Sequence, residues 1–142
     1  MSFTVYTDGA SKGNPGEAAI GVVCFKQEST SLSQFIGDQE SAKFTISERI
    51  GKATNNEAEY TSIIEALKNL QKEKIEAATI YMDSELVVKQ LNGQYKVKSP
   101  TLKVYYEKAK LLLNKGTYSV KHVRRENNQI ADYLANQAYK SK

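Results

Sequence analysis

Three strand-like segments in a row, closed off by a capped helix, restrict this chain more than any other feature of its sequence. Residues 3–8 (FTVYTD) alternate apolar and polar side chains, with the period of two that a half-buried strand requires. Residues 9–16 (GASKGNPG) hold three glycines and a proline and predict a tight turn. Residues 18–27 (AAIGVVCFKQ) are rich in β-formers, so the first two segments predict a hairpin. Residues 28–40 are polar and predict a loop or ragged edge, and residues 41–50 (SAKFTISERI) alternate again as a third strand. The strands stop at Thr54. Thr54 and Glu57 have the Thr-x-x-Glu spacing of a capping box. Ile63, Ala66, Leu67 and Leu70 then form the apolar stripe of a helix that runs to about Lys72.

From there the pattern alternates. Residues 77–82 (AATIYM) are almost continuously apolar, as in a central strand. A helix is expected from Ser84 to Leu91, ending at Asn92-Gly93, and another from Thr101 to Leu113. Residues 117–123 (TYSVKHV) predict the last strand and residues 127–139 the last helix. The order βββαβααβα implies an α/β fold. Antiparallel strands come first, crossovers then add parallel ones, and the result is a mixed five-stranded sheet with helices on both faces. With 142 residues, no internal repeat and no low-complexity stretch, a single domain over residues 1–142 is expected.

Composition excludes several classes. The apolar fraction of 40% and charged fraction of 25% are those of a soluble globular chain. No apolar run reaches the length of a bilayer, so no membrane partner is expected. Residues 1–6 lack the basic and apolar regions of a secretory signal. Cys24 is the only cysteine, which rules out an internal disulfide and a cysteine-rich zinc site and fits a reducing cytoplasm. The net charge of +4 is mild. Its distribution is not: Lys96, Lys98, Lys103, Lys108, Lys110, Lys115, Lys121, Arg124 and Arg125 crowd residues 94–125, offset only by Glu107. That segment is either a solvated face or a footprint for a phosphate backbone.

Four acidic residues are the candidate chemistry. Asp8 ends the first strand, at the rim where α/β sheets place ligands. Glu59 lies four and eight residues before Ile63 and Leu67, on the apolar stripe, where a carboxylate is destabilising unless a cation compensates it. Asp83 follows the strand AATIYM directly, and Asp132 lies in the first turns of the last helix. Singly, each has an ordinary reading: an Asx turn, an ion pair, an N-cap and an interaction with the helix dipole. Together they converge if strands one and four are parallel neighbours. Four clustered carboxylates without histidine or cysteine suit magnesium or manganese, and two such ions form a clamp for in-line phosphodiester cleavage.

At this point the sequence is similar to a known family, type 1 ribonuclease H. The matching pieces are YTDGASKGNPG, TNNEAEY, MDSELVVKQL and RRENNQIADYLANQA, in that order across nearly the whole chain, each with one acidic residue at the family's position. The resemblance implies an endonuclease that cuts the RNA strand of RNA–DNA hybrids with two Mg²⁺ ions, Mn²⁺ substituting, and leaves 5′-phosphate and 3′-hydroxyl ends. It implies that Asp8, Glu59, Asp83 and Asp132 are catalytic and bind the metals. Asn14, Asn55 and Asn56 resemble polar contacts to the nucleic acid, and Thr54 resembles a residue that binds a DNA-strand phosphate. Arg124 and Arg125 are further candidates for phosphate.

His122 lies ten residues before Asp132, the spacing of a mobile family histidine that assists proton transfer or product release. Here it falls either in the last strand or in the loop after it. The family's basic protrusion looks absent, as does a preceding hybrid-binding domain, and Glu85 stands where several members carry glutamine. A monomer is expected. The alternative reading is a domain with this fold that binds hybrid or double-stranded nucleic acid without turnover.

Overall fold

Backbone pairing carries the first strand further than its side-chain alternation does. In the computed structural model, which describes residues 3–26 and 30–140, β1 spans Phe3–Gly13 and β2 spans Gly16–Lys26. They pair antiparallel from Phe3 opposite Lys26 to Gly13 opposite Gly16, so the tight turn shrinks to Asn14 and Pro15. Gln27, the expected end of the second strand, and residues 28–29 of the expected loop lie outside the described residues. All residues of β2 from Ala18 to Phe25 are buried, because β1 and β3 (Phe44–Ala53) flank it and helices cover both its faces.

The segment read as a loop contains a short helix, α1 (Leu32–Gly37). Ser31 and Gln34 form a capping box, with Ser31 Oγ accepting from the Gln34 N–H at 3.2 Å. Phe35 is its one buried residue and meets Phe25 and Tyr133 edge-on at 6.3 and 6.5 Å. A single anchor in six residues leaves no periodicity to read.

The remaining elements follow the expected order: α2 (Asn55–Lys72), β4 (Ala77–Met82), α3 (Glu85–Leu91), α4 (Pro100–Leu113), β5 (Thr117–His122) and α5 (Gln129–Ala138). A 3₁₀ turn, Arg125–Asn127, precedes α5, so the helix expected from residue 127 starts at Gln129 instead. The sheet order is β3-β2-β1-β4-β5. β1 is antiparallel to β2 and parallel to β4, and β4 is parallel to β5.

Each face of the sheet has its own core. On one, Ile63, Leu67 and Leu70 of α2 pack with Val5, Val22, Cys24, Ile80 and Met82. Burial there pushes the Cys24 thiol up to about 12, so the cysteine is an inert packing residue. On the other face, Ile130 and Leu134 of α5 pack with Val23, Phe25 and Phe35. Among the described residues no helix is long and apolar enough to cross a membrane.

Candidate active site

Register brings the first two carboxylates together. The last paired residues of β1 and β4 are Thr7 and Met82, so Asp8 and Asp83 follow side by side on parallel strands. β4 ends there while β1 continues with β2 alone, and this opens the rim between them. Asp83 does not cap α3. Ser84 does, its Oγ accepting from the Val87 N–H at 3.3 Å, which leaves the Asp83 carboxylate for the rim.

Two glycines let helices bring the other two acids in. Gly9 follows Asp8, and a Cβ there would run into the backbone of Ala58 and Glu59. With only a hydrogen in that place, α2 approaches closely enough for Glu59 Oε1 to accept from the Gly9 N–H at 3.0 Å. Gly21 lies opposite Asp8 on β2, and a Cβ there would run into the backbone of Ala131 and Ala135 in α5. That second close approach sets the first turn of α5, and Asp132 with it, beside Asp8.

Oxygens of Asp8, Glu59 and Asp83 all lie within 4.8 Å of one another, and Asp132 lies near enough to Asp8 for its charge to act on it. Asp8 is 7% exposed and Glu59 9%. Burial first, and the charges of Asp83 and Asp132 second, push the Asp8 carboxyl up to about 8. Burial also holds Glu59 well above the usual carboxylate range, with Asp8 and Asp83 adding to it. The Gly9 N–H and Arg125 act on Glu59 in the opposite direction, and Arg125 does the same for Asp8. Such a cluster is unfavourable as four free anions and favourable around a cation, and its donors are all oxygen.

The other sequence candidates surround this cluster. Thr54 caps α2, its Oγ1 accepting from the Glu57 N–H at 3.2 Å while Glu57 Oε1 accepts from the Thr54 N–H at 2.8 Å. Asn14 and Asn55 tie the hairpin to α2: the Asn55 N–H donates to Asn14 Oδ1 at 3.0 Å, and Asn55 Oδ1 accepts from the Ser11 N–H at 3.1 Å. The first amide of α2 is therefore taken by the hairpin turn. Asn56, beside it, is half-buried.

Arg124 is exposed and pairs with Glu126 at 3.6 Å, whereas Arg125 acts on the carboxylates. His122 is the last residue of β5, opposite Met82, and exposed; it lies in the strand and not in the loop. Glu85 points its charge at Lys89, 3.5 Å away.

Asn128 is the residue that sequence reasoning missed. It is 1% exposed, and its Nδ2 donates to the Thr7 carbonyl at 2.9 Å and to Asp83 Oδ2 at 3.0 Å. No signal in the sequence marked it, since the expected helix over 127–139 placed Asn128 inside its first turn.

The comparisons agree with this geometry. The family model described as reverse transcriptase-like matches residues 6–138. A ribonuclease HI of Halobacterium salinarum is 38% identical over 134 residues, 94% of this chain. The chain spans 62% of that protein's length and 35% of the length of other curated relatives that it matches. The crystal structure of RNase H1 from the halophilic archaeon Halobacterium salinarum superposes with a TM-score of 0.87 at 35% identity, covering 99% of this chain and 98% of that one. LC11-RNase H1, solved in complex with an RNA/DNA hybrid, gives 0.82 at 36% identity, covering 97% and 96%. With the mixed sheet, the acidic rim and matches over nearly its whole length in agreement, the chain belongs to the type 1 ribonuclease H family.

Proposed function

We propose that this chain hydrolyses the RNA strand of RNA–DNA hybrids by a two-metal-ion reaction that leaves 5′-phosphate and 3′-hydroxyl ends. One observation carries the reading: carboxylates from two strands and a helix meet within 4.8 Å at the rim where the parallel strands end. The hybrid complex of LC11-RNase H1, a relative at 36% identity, supports the substrate. Oxygen donors alone, two of them buried acids with raised affinity for a proton, fit a hard divalent cation. Mg²⁺ is the expected ion and Mn²⁺ its substitute. Asp8, Glu59 and Asp83 would hold one ion, and Asp132, beside Asp8, would share in the second. Bound there, the ions would make water nucleophilic at neutral pH and offset the charge that develops on the leaving oxygen. The water oxygen bonds to phosphorus as the bond to the 3′ oxygen breaks, and that oxygen leaves as the 3′-hydroxyl.

The protein's own groups would do the rest. Arg125, whose charge acts on Asp8 and Glu59, would draw the phosphate toward them; it is no base at neutral pH. Asn14 and Asn55, tied to each other, would present a preformed polar edge to the nucleic acid, with Asn56 beside them. Thr54 at the α2 terminus would receive a phosphate of the DNA strand, and Arg124 would lie outside the cluster as a weaker contact. His122, exposed at the end of β5 in register with Met82, would take or give a proton at the edge of the site.

Cleavage of one labelled RNA strand tests the reading. The strand is paired with DNA or with RNA, and incubated with Mg²⁺, with Mn²⁺ and with EDTA. Cutting only in the hybrid and only with metal, abolished in Asp83→Asn, is the expected result. Undiminished cutting by Asp83→Asn would remove the site assignment. Binding without cutting in either metal would leave a hybrid-binding domain.

A further inference from the structure

We propose that Asn128 is a positioning residue for the carboxylate site, a neutral clamp that fixes Asp83 against the strand carrying Asp8 and the helix carrying Asp132. The inference rests on the metal-site reading above and goes beyond it to a residue outside the acidic set.

Asn128 occupies the N-cap position of α5, where an asparagine ordinarily turns its side-chain oxygen back onto the helix amides. Here the side chain makes no cap hydrogen bond. It is turned into the protein and 1% exposed. Both protons of its Nδ2 are used, one on the Thr7 carbonyl at 2.9 Å and one on Asp83 Oδ2 at 3.0 Å. The Asn128 carbonyl accepts from the Asp132 N–H at 3.1 Å. One residue thus touches the backbone just before Asp8, the carboxylate of Asp83 and the backbone of Asp132.

The arrangement has two unfavourable sides. The helix end goes without its side-chain cap, and the buried Asn128 Oδ1 has no hydrogen-bond partner among the described residues. A side chain selected only for stability would relieve both by facing the helix. The bridge explains why it does not. A neutral donor holds one oxygen of Asp83 and leaves the other lone pairs for a cation. A lysine there would neutralise the carboxylate and compete with the ion, and an aspartate would repel it. Groups that orient metal ligands in this way typically change metal affinity or activity 10–100-fold when removed.

The test compares Asn128→Ser, Asn128→Ala and Asp83→Asn with the wild type. Mn²⁺ binding without nucleic acid is measured by calorimetry, alongside thermal unfolding in EDTA. Serine can cap α5 but is too short to reach Asp83. Asn128→Ser is therefore expected to melt no lower than wild type while binding Mn²⁺ about 10–100-fold more weakly. Its hybrid cleavage should recover in part at raised Mg²⁺. Asn128→Ala lacks both cap and bridge, so it should melt lower than the serine variant yet bind Mn²⁺ equally weakly. Wild-type Mn²⁺ affinity in either folded variant, with Asp83→Asn impaired, would overturn the proposal and spare the metal site. Wild-type affinity in Asp83→Asn as well would overturn both.

Discussion

Burial, with Asp83 and Asp132 beside it, raises the Asp8 carboxyl to about 8, against about 3.9 for an aspartate in an unfolded chain. Between those values the folded protein keeps a proton that the unfolded chain has lost. Stability of the metal-free protein therefore falls as pH rises through that window, and the destabilisation is complete above pH 8. Thermal unfolding in EDTA at pH 5 and pH 8 should show a marked loss for the wild type and a smaller one for Asp8→Asn. Equal losses would place the cause elsewhere. A divalent cation should reverse the trend, since it binds the deprotonated form. At this scale each acid alone has an ordinary structural reading, and the set became legible because parallel, neighbouring first and fourth strands bring Asp8 and Asp83 to one rim that Glu59 and Asp132 can reach from flanking helices. Asn128 was not legible, since the expected helix over 127–139 took it in and only the fold shows where α5 starts and which way the side chain turns. The charge of Glu85, which stands where several family members carry glutamine, is taken up by Lys89 one helical turn on.

Two close approaches of helix backbone to strand backbone, at Gly9 and Gly21, set how far each acid-bearing helix stands from the sheet. In Gly9→Ala the added methyl would meet the Ala58 and Glu59 backbone, which no side-chain rotation relieves. Overpacking of this kind costs about 1–3 kcal/mol. The expected outcome is a lower denaturant midpoint, together with a loss of hybrid cleavage beyond what the remaining folded fraction explains, because Glu59 moves away from Asp8. An alanine variant that cleaves normally once folded would show that the approach is not needed for the site. Elements with a repeat were readable: the α2 stripe and capping box and the apolar run of β4 gave their boundaries closely. Elements held by one contact or by backbone alone were not. α1 rests on Phe35, and the second half of β1 rests on hydrogen bonds to β2 that no side-chain pattern reports.

Across the whole molecule the mixed five-stranded sheet followed from sequence, because consecutive β-rich segments tend to pair as hairpins and crossovers return parallel, whereas the adjacency of the first and fourth strands was a condition that the register meets. The charge distribution was equally plain. Most of the basic side chains of residues 94–125 belong to α4, to β5 and to the segment leading into α4, and all of them except Lys110 are exposed. Hybrid affinity should therefore fall steeply with salt, and neutralising an exposed lysine that contacts phosphate should flatten the log–log slope by about one. A titration at several salt concentrations checks this, and an unchanged slope in Lys103→Ala would take that lysine out of the contact surface.

The site also draws on both sides of the sheet: Glu59 arrives on a helix packed against one face, Asp132 on a helix packed against the other, and Asp8 and Asp83 lie between them. No partly assembled layer contains it. A growing chain on the ribosome carries Asp8, Glu59 and Asp83 long before α5 has been made, and until that helix docks the acidic set is one short. On the reading proposed here, the nuclease stays disarmed until α5 has been made and has docked against the sheet.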